Sequence, residues 1–278
     1  MKKLRIFSLL ASLLLVCGLL SSCVSAPQEA GAQLCLPGLE WGQPMDEALK
    51  ALDTSLEALS SEDYALDEEY GGGRVRLRDR EIFGQKSAEM ILTFAADFYY
   101  IDPEKYADRK NGFLCEVRIS YPEDADMDAV LAEMKKSFGE PAETVETYST
   151  YEELPTEYTS DDHNQYWAGP AISQVVDEAH QKTLRENEEF AAALIPTQSD
   201  SSIGDAIWEN YLKTPVSTVR WSDNYRNDIT EALEEQHGIS TSPNMVILEG
   251  SLAFTLQDNY IDTLRSLQEE NASSTTSE

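Results

Sequence analysis

Three histidines are all that this chain of 278 residues offers for imidazole chemistry. His163 lies in a polar loop, His180 on a helical pattern, and His237 just before Gly238 at the end of another. A histidine closing a helix is a partner for the negative end of its dipole, and the other two read as solvated side chains. Asp161-Asp162-His163 likewise reads as a solvated loop in preference to a metal site. Asp124, Asp126 and Asp128 alternate as the start of a calcium loop does, because a hard cation needs several carboxylate oxygens on one point. The rest of that pattern fails: Ala129 stands where the sharp turn needs glycine, and Lys135 where a bidentate glutamate belongs. Acidic residues around a helix N-terminus account for the same spacing. The sequence contains no HExxH, no GxSxG, no phosphate-cradling glycine loop and no paired CxxC. An enzyme is therefore the less favoured class, and neither a cofactor nor a metal is expected.

Two further groups carry chemistry of other kinds. Of the four cysteines, Cys35 and Cys115 lie furthest from the N-terminus. They are candidates for a disulfide in an oxidising compartment; the alternative is two thiols, with Cys115 on a strand face beside Val117, Ile119 and Tyr121. Neither has a nearby histidine to make it a nucleophile. Aromatic residues gather at Phe98-Tyr99-Tyr100 with Tyr106, and again at Tyr148, Tyr151, Tyr158, Tyr166 and Trp167. The second group sits in a polar stretch with little local core to fill, which makes it the candidate surface for partner contact. Packing across a sheet is the competing account.

The N-terminus reads as an address. Lys2, Lys3 and Arg5 precede an apolar stretch from Ile6 to Leu20, the layout of a secretory signal and too short for a span of ~20 apolar residues. Leu20-Ser21-Ser22-Cys23 resembles the lipobox of bacterial lipoproteins. That resemblance implies removal of residues 1–22 and a lipid on Cys23, whose acyl chains supply the multiple-chain anchoring that one chain cannot. The expected place is the extracytoplasmic face of a cell membrane. All 51 acidic residues and 18 of the 21 basic ones lie beyond residue 22, so the mature part has a formal charge of −33. Such a body repels nucleic acid and anionic headgroups, leaving the lipid as its hold on the membrane.

The elements that must position these residues follow from periodicity. Residues 23–35 form a small, polar tether, 36–270 an α+β body, and 271–278 a polar tail. Met45, Ala48, Leu49, Leu52, Leu56 and Leu59 predict an amphipathic helix after Pro44. Alternating segments at 74–80, 90–94 and 113–121 predict three strands of an antiparallel meander. Asp126 then caps a helix carrying Met127, Val130, Leu131, Met134 and Phe138, stopped by Gly139 and Pro141. Residues 143–164 read as an exposed connection, 166–213 as a helical insertion with a long helix from Ile172 to about Leu194, and 216–221, 245–248 and 252–256 as late strands. Helical patterns fall near Ile229 and Leu233 and from about Asp258 to Gln268. The late strands either complete the early sheet or build a second domain, dividing the body into 36–145 and 166–270. The expected class is thus an antiparallel sheet flanked by helices, with a helical insertion.

Trp41-Gly42, Phe83-Gly84, Tyr121-Pro122 and Phe138-Gly139-Glu140-Pro141 recur together in uncharacterised lipoproteins, which residues 39–141 resemble. More loosely, this part looks like the α+β modules of the β-lactamase inhibitory protein and of small outer-membrane assembly lipoproteins. The matching residues are structural positions, so the resemblance implies a binding scaffold and no catalytic residue. The function expected is a lipid-anchored binding or interaction module for an envelope protein or peptide. An envelope hydrolase with dispersed carboxylates and a structural envelope component are the alternatives.

Overall fold

The computed structural model describes residues 34–66, 72–95, 112–147, 156–186, 204–225 and 242–250. The leader and Cys23, Tyr148, Tyr151, the first aromatic group, the patterns near Ile229 and from Asp258 onward, and the tail lie outside them. Among the described residues, no helix is long and apolar enough to cross a membrane.

Helix α1 (Met45–Ala51) is followed by a 3-10 turn (Leu56–Ala58), then β1 (Tyr64–Leu66) and β2 (Gly72–Leu77). The predicted helix ends early because Asp53 takes a left-handed φ of 53°, and Thr54 N–H closes back on the Leu49 carbonyl at 2.9 Å. That is a Schellman-type stop, set by the polar run Asp53-Thr54-Ser55. Leu52, Leu56 and Leu59 still pack on the core from beyond it.

A small hairpin of β3 (Glu81–Ile82) and β4 (Gln85–Lys86) turns through Phe83 and Gly84, at φ 49° and 73°. Two consecutive left-handed residues are what a two-residue hairpin matching strand twist requires, so the glycine of this pair is conformational. Strands β5 (Glu89–Ala95) and β6 (Phe113–Ser120) follow, then α2 (Met127–Phe138), capped as expected by the Asp126 carboxylate accepting from Ala129 N–H at 3.0 Å. The predicted connection at 143–164 instead holds a hairpin, β7 (Thr144–Thr147) with β8 (Thr156–Thr159), before β9 (Asn164–Ala168).

The predicted long helix is broken. Val176 is extended (ψ 120°) between α3 (Ile172–Val175) and α4 (Glu178–Glu186), where two adjacent β-branched residues resist helical packing. Helix α5 (Asp205–Lys213) leads into β10 (Thr218–Ser222), and β11 (Met245–Glu249) ends the described chain.

Seven strands form one antiparallel sheet in the order β1-β2-β5-β6-β11-β10-β9, so the fold is α+β. The meander β2-β5-β6 is as predicted, and two of the predicted late strands complete that sheet, β11 inserting between β6 and β10, while the third, at 252–256, lies outside the described residues. Met90, Leu92, Val117, Ile119, Val219, Trp221, Val246 and Leu248 line one face, against Met45, Ala48 and Leu49 of α1 and Met127, Val130 and Met134 of α2. Each of the Val, Leu, Ile and Met side chains among these contributes about 1.5–3 kcal/mol by leaving water. Trp221 Nε1 donates to the Met127 carbonyl at 3.1 Å, pinning the start of α2 to β10.

One irregularity alters the sequence reading. The β5–β6 register shifts between Thr93 and Phe94, which pair with Glu116 and Leu114, so Cys115 is the extra residue of a β-bulge. Leu114 takes the core position assigned to Cys115 by simple alternation. Cys35 and Cys115 are both thiols rather than a disulfide. Cys115 Sγ donates to the Thr93 carbonyl at 3.4 Å. Burial in the core pushes the Cys35 thiol up to about 12, with Leu36 N–H lowering and Glu40 raising it as smaller effects, so it is unreactive near neutrality.

Candidate functional site

Register decides what the second face of the sheet carries. Arg76, Ile91, Arg118, Ile247, Arg220 and Tyr166 are successive cross-strand partners, forming one row over β2, β5, β6, β11, β10 and β9. The adjacent row runs Arg74, Thr93, Glu116, Glu249, Thr218 and Ala168. The first row therefore presents three guanidinium groups, and the second opposes two carboxylates. Like charges directly across a strand pair are unfavourable, so Glu116 and Glu249 sit together at a cost.

The polar groups of this face are held in place. Glu116 accepts from Thr93 Oγ1 at 3.1 Å and from Arg118 at 2.9 Å. Arg76 Nε lies 2.7 Å from Glu89. Arg220 donates to Asn164 Oδ1 at 2.7 Å, and its guanidinium lies over two rings, 4.7 Å from the centre of Tyr225 and 5.5 Å from that of Tyr166. Contact with two rings restricts the swing of the fork. The Nε–H groups of Arg118 and Arg220 are buried with no hydrogen-bond acceptor among the described residues. Burial disfavours the Arg118 charge, and the hydrogen bond and charge of Glu116, with Tyr225 and Glu249, outweigh it.

Over this face the β7–β8 hairpin raises a wall. Tyr158 of β8 meets Tyr166 of β9 with ring centres 5.3 Å apart, and behind them lies a cavity of about 320 Å³. Arg118, Arg220, Glu249, Tyr158, Tyr166 and Tyr225 all line it. Glu249 is an exposed residue at the cavity, crowded by its neighbours. That crowding, followed by repulsion from Glu116, raises its affinity for a proton against the opposing pull of Arg118, the Thr218 hydroxyl and Arg220. The Thr218 hydroxyl is 3.4 Å from Glu249 Oε2, and among the described residues no ion pair within 4 Å joins Glu249 to an arginine. The cavity thus displays both signs of charge, separated along β11, beside three phenolic rings.

The aromatic group named from sequence is split by this arrangement. Tyr158 and Tyr166 come together at the cavity mouth. Trp167 does not belong with them: alternation along β9 turns it to the core, 3% exposed, with Nε1 donating to the Gly139 carbonyl at 2.9 Å and its ring 6.2 Å from Phe138. It is a core residue and no contact surface. His163 stands apart from the cavity, its Nδ1 2.9 Å from Asp223 Oδ1 at the far end of β9 and β10. Among the described residues, no three His, Cys, Asp or Glu side chains gather to hold a metal ion. Arg118, Arg220, Glu249 and Tyr225 were not singled out from sequence. Their signal was the polar phase of apolar strands, Glu116-Val117-Arg118-Ile119 and Val219-Arg220-Trp221, in which arginine occupies positions where a solvated face needs no particular residue.

Fold and site together define an α+β protein with a charged cavity on the face of its sheet opposite the core of α1 and α2. No protein-family model, no curated protein and no solved structure matches the chain.

Proposed function

We propose that this chain is a bacterial lipoprotein whose α+β body is a non-catalytic binding module, held on the extracytoplasmic face of a membrane by lipid on Cys23. The binding role rests on one observation: two arginines and a glutamate that forms no ion pair with either among the described residues share a cavity of about 320 Å³ walled by tyrosines. A concave site with few, fixed polar groups is the usual form of a small-ligand site. The anchoring role rests on Leu20-Ser21-Ser22-Cys23 and the basic, apolar stretch before it.

A hydrolase draws on Glu116 and Glu249 lying opposite each other, since paired carboxylates serve acid and base roles. Glu116, however, has both oxygens engaged, by Thr93 and by Arg118, and only Glu249 of the two lines the cavity. One carboxylate, with no histidine beside it among the described residues, favours binding.

Two measurements test this reading. Intact mass and detergent partitioning of the protein made in a bacterial host should show lipid on a chain starting at Cys23, lost in Cys23→Ala; a water-soluble wild type cut elsewhere removes the anchor. Thermal-shift titration against panels of acids, amines, zwitterions and neutral sugars should give a saturable shift with at least one class, abolished in Arg118→Gln/Arg220→Gln. No shift with any class removes the cavity as a ligand site.

A further inference from the structure

Resting on that reading of the cavity as a ligand site, we infer that its ligand is a small zwitterion of dipeptide length, carboxylate on the Arg118/Arg220 row and ammonium on Glu249. The argument starts from charge. A plain anion drawn to the two arginines meets Glu249 in the same space, and a plain cation drawn to Glu249 meets both arginines. A molecule carrying both charges satisfies both rows.

Register then sets its length. Arg118 and Arg220 flank Ile247 on either side, while Glu249 is the next same-face residue of β11, two positions along. Two strand residues span about 6.7 Å, and an extended dipeptide spans at most about 7 Å from end to end. A free amino acid is too short to reach both rows with its backbone extended, and a longer peptide places its ends beyond them. The floor between Arg118 and Arg220 is apolar at Ile247, and the walls are the rings of Tyr158, Tyr166 and Tyr225, surfaces suited to an apolar or aromatic side chain. Arg220 is held between two rings and Asn164, so its fork is ordered before a carboxylate arrives, which lowers the entropic cost of binding. On the other row, an ammonium beside Glu249 would also relieve its repulsion with Glu116.

Calorimetry on the full lipidated protein in detergent tests this with L-alanyl-L-phenylalanine, its N-acetyl derivative, its C-terminal amide, free phenylalanine and a tetrapeptide. The dipeptide is expected to bind one to one, with the acetyl and amide forms each about tenfold weaker or more, because each loses a charge-assisted pairing. Arg118→Gln should weaken the dipeptide and erase its advantage over the amide; Glu249→Gln should erase its advantage over the acetyl form. Glu249→Gln should also raise the melting temperature of the free protein at neutral pH, because it removes one of two opposed like charges. A tighter fold with weaker binding separates a ligand role from a structural one. Equal affinity for dipeptide, acetyl and amide forms, or no binding of any, overturns the inference. A neutral sugar or simple acid that binds in their place overturns it too, while leaving the cavity a ligand site.

Discussion

At the residue scale, His163 shows how a side chain with catalytic potential can serve a structural contact. Asp161 Oδ1 accepts from the backbone N–H of His163 at 2.8 Å and of Asn164 at 2.7 Å, which turns the chain into β9 and delivers the ring to Asp223. The hydrogen bond and charge of Asp223 raise the imidazole above its usual 6.5. A folded value above the unfolded one favours the fold fully below the unfolded value, and that contribution is lost as pH rises through the folded value. NMR titration of the ring should therefore place its midpoint above 6.5, and Asp223→Asn should return it toward that value. A midpoint unchanged by Asp223→Asn would show the contact to be absent in solution. The ring is solvent-exposed, so the effect on stability is small.

At the element scale, the segment before α1 is locked to both ends of the sheet's centre. Gly42 N–H donates to the Leu114 carbonyl and Leu114 N–H to the Gln43 carbonyl, both at 2.9 Å, and Trp41 Nε1 donates to the Leu34 carbonyl at 2.9 Å. Gly250, just past β11, lies against the indole: a Cβ there would fall 2.4–2.7 Å from three Trp41 ring atoms. A flat ring has no flexible end to swing aside. Gly250→Ala should cost about 1–3 kcal/mol through overpacking, read as a lower urea midpoint with unchanged slope. Trp41→Leu in the same background should recover part of that loss, whereas additive losses would place the strain elsewhere. This pairing explains why Trp41-Gly42 is a structural position: the tryptophan is a lid on the core, and its neighbour turns the chain toward the bulge in β6.

At the scale of the whole molecule, β11 joins the early and late parts of the chain. Leu248 pairs with Val117 on β6 and with Val219 on β10, and all three are buried. The sheet passes without interruption from residues 64–120 through β11 to residues 164–222, so the body does not divide at residue 145 within the sheet. Leu248→Ala should cost about 2–5 kcal/mol. Circular dichroism and tryptophan fluorescence should move together to lower temperature, because Trp41, Trp167 and Trp221 share the core that Leu248 completes. Two separated transitions would show that the halves fold independently.

Much of the secondary structure was legible in the sequence for a local reason. Alternation at 74–77, 90–94 and 113–121, and the Asp126 cap with its Gly139 stop, are set by residues within a turn or two of one another. Three of the misreadings arose where a single local feature broke a period: Asp53 ending α1, Val176 splitting the long helix, and the bulge shifting Cys115 off the core phase. By itself the sequence determined the α+β class, the acidic body, the signal-like N-terminus and the absence of familiar catalytic motifs. Only the tertiary structure decided that Arg118, Ile247 and Arg220 form one row with Glu249 beside it. Those residues lie up to 131 positions apart, and they meet because β11 pairs with β6 on one side and β10 on the other. Pairing between distant strands depends on the fit of whole apolar faces, and periodicity within one strand carries no information about its neighbour.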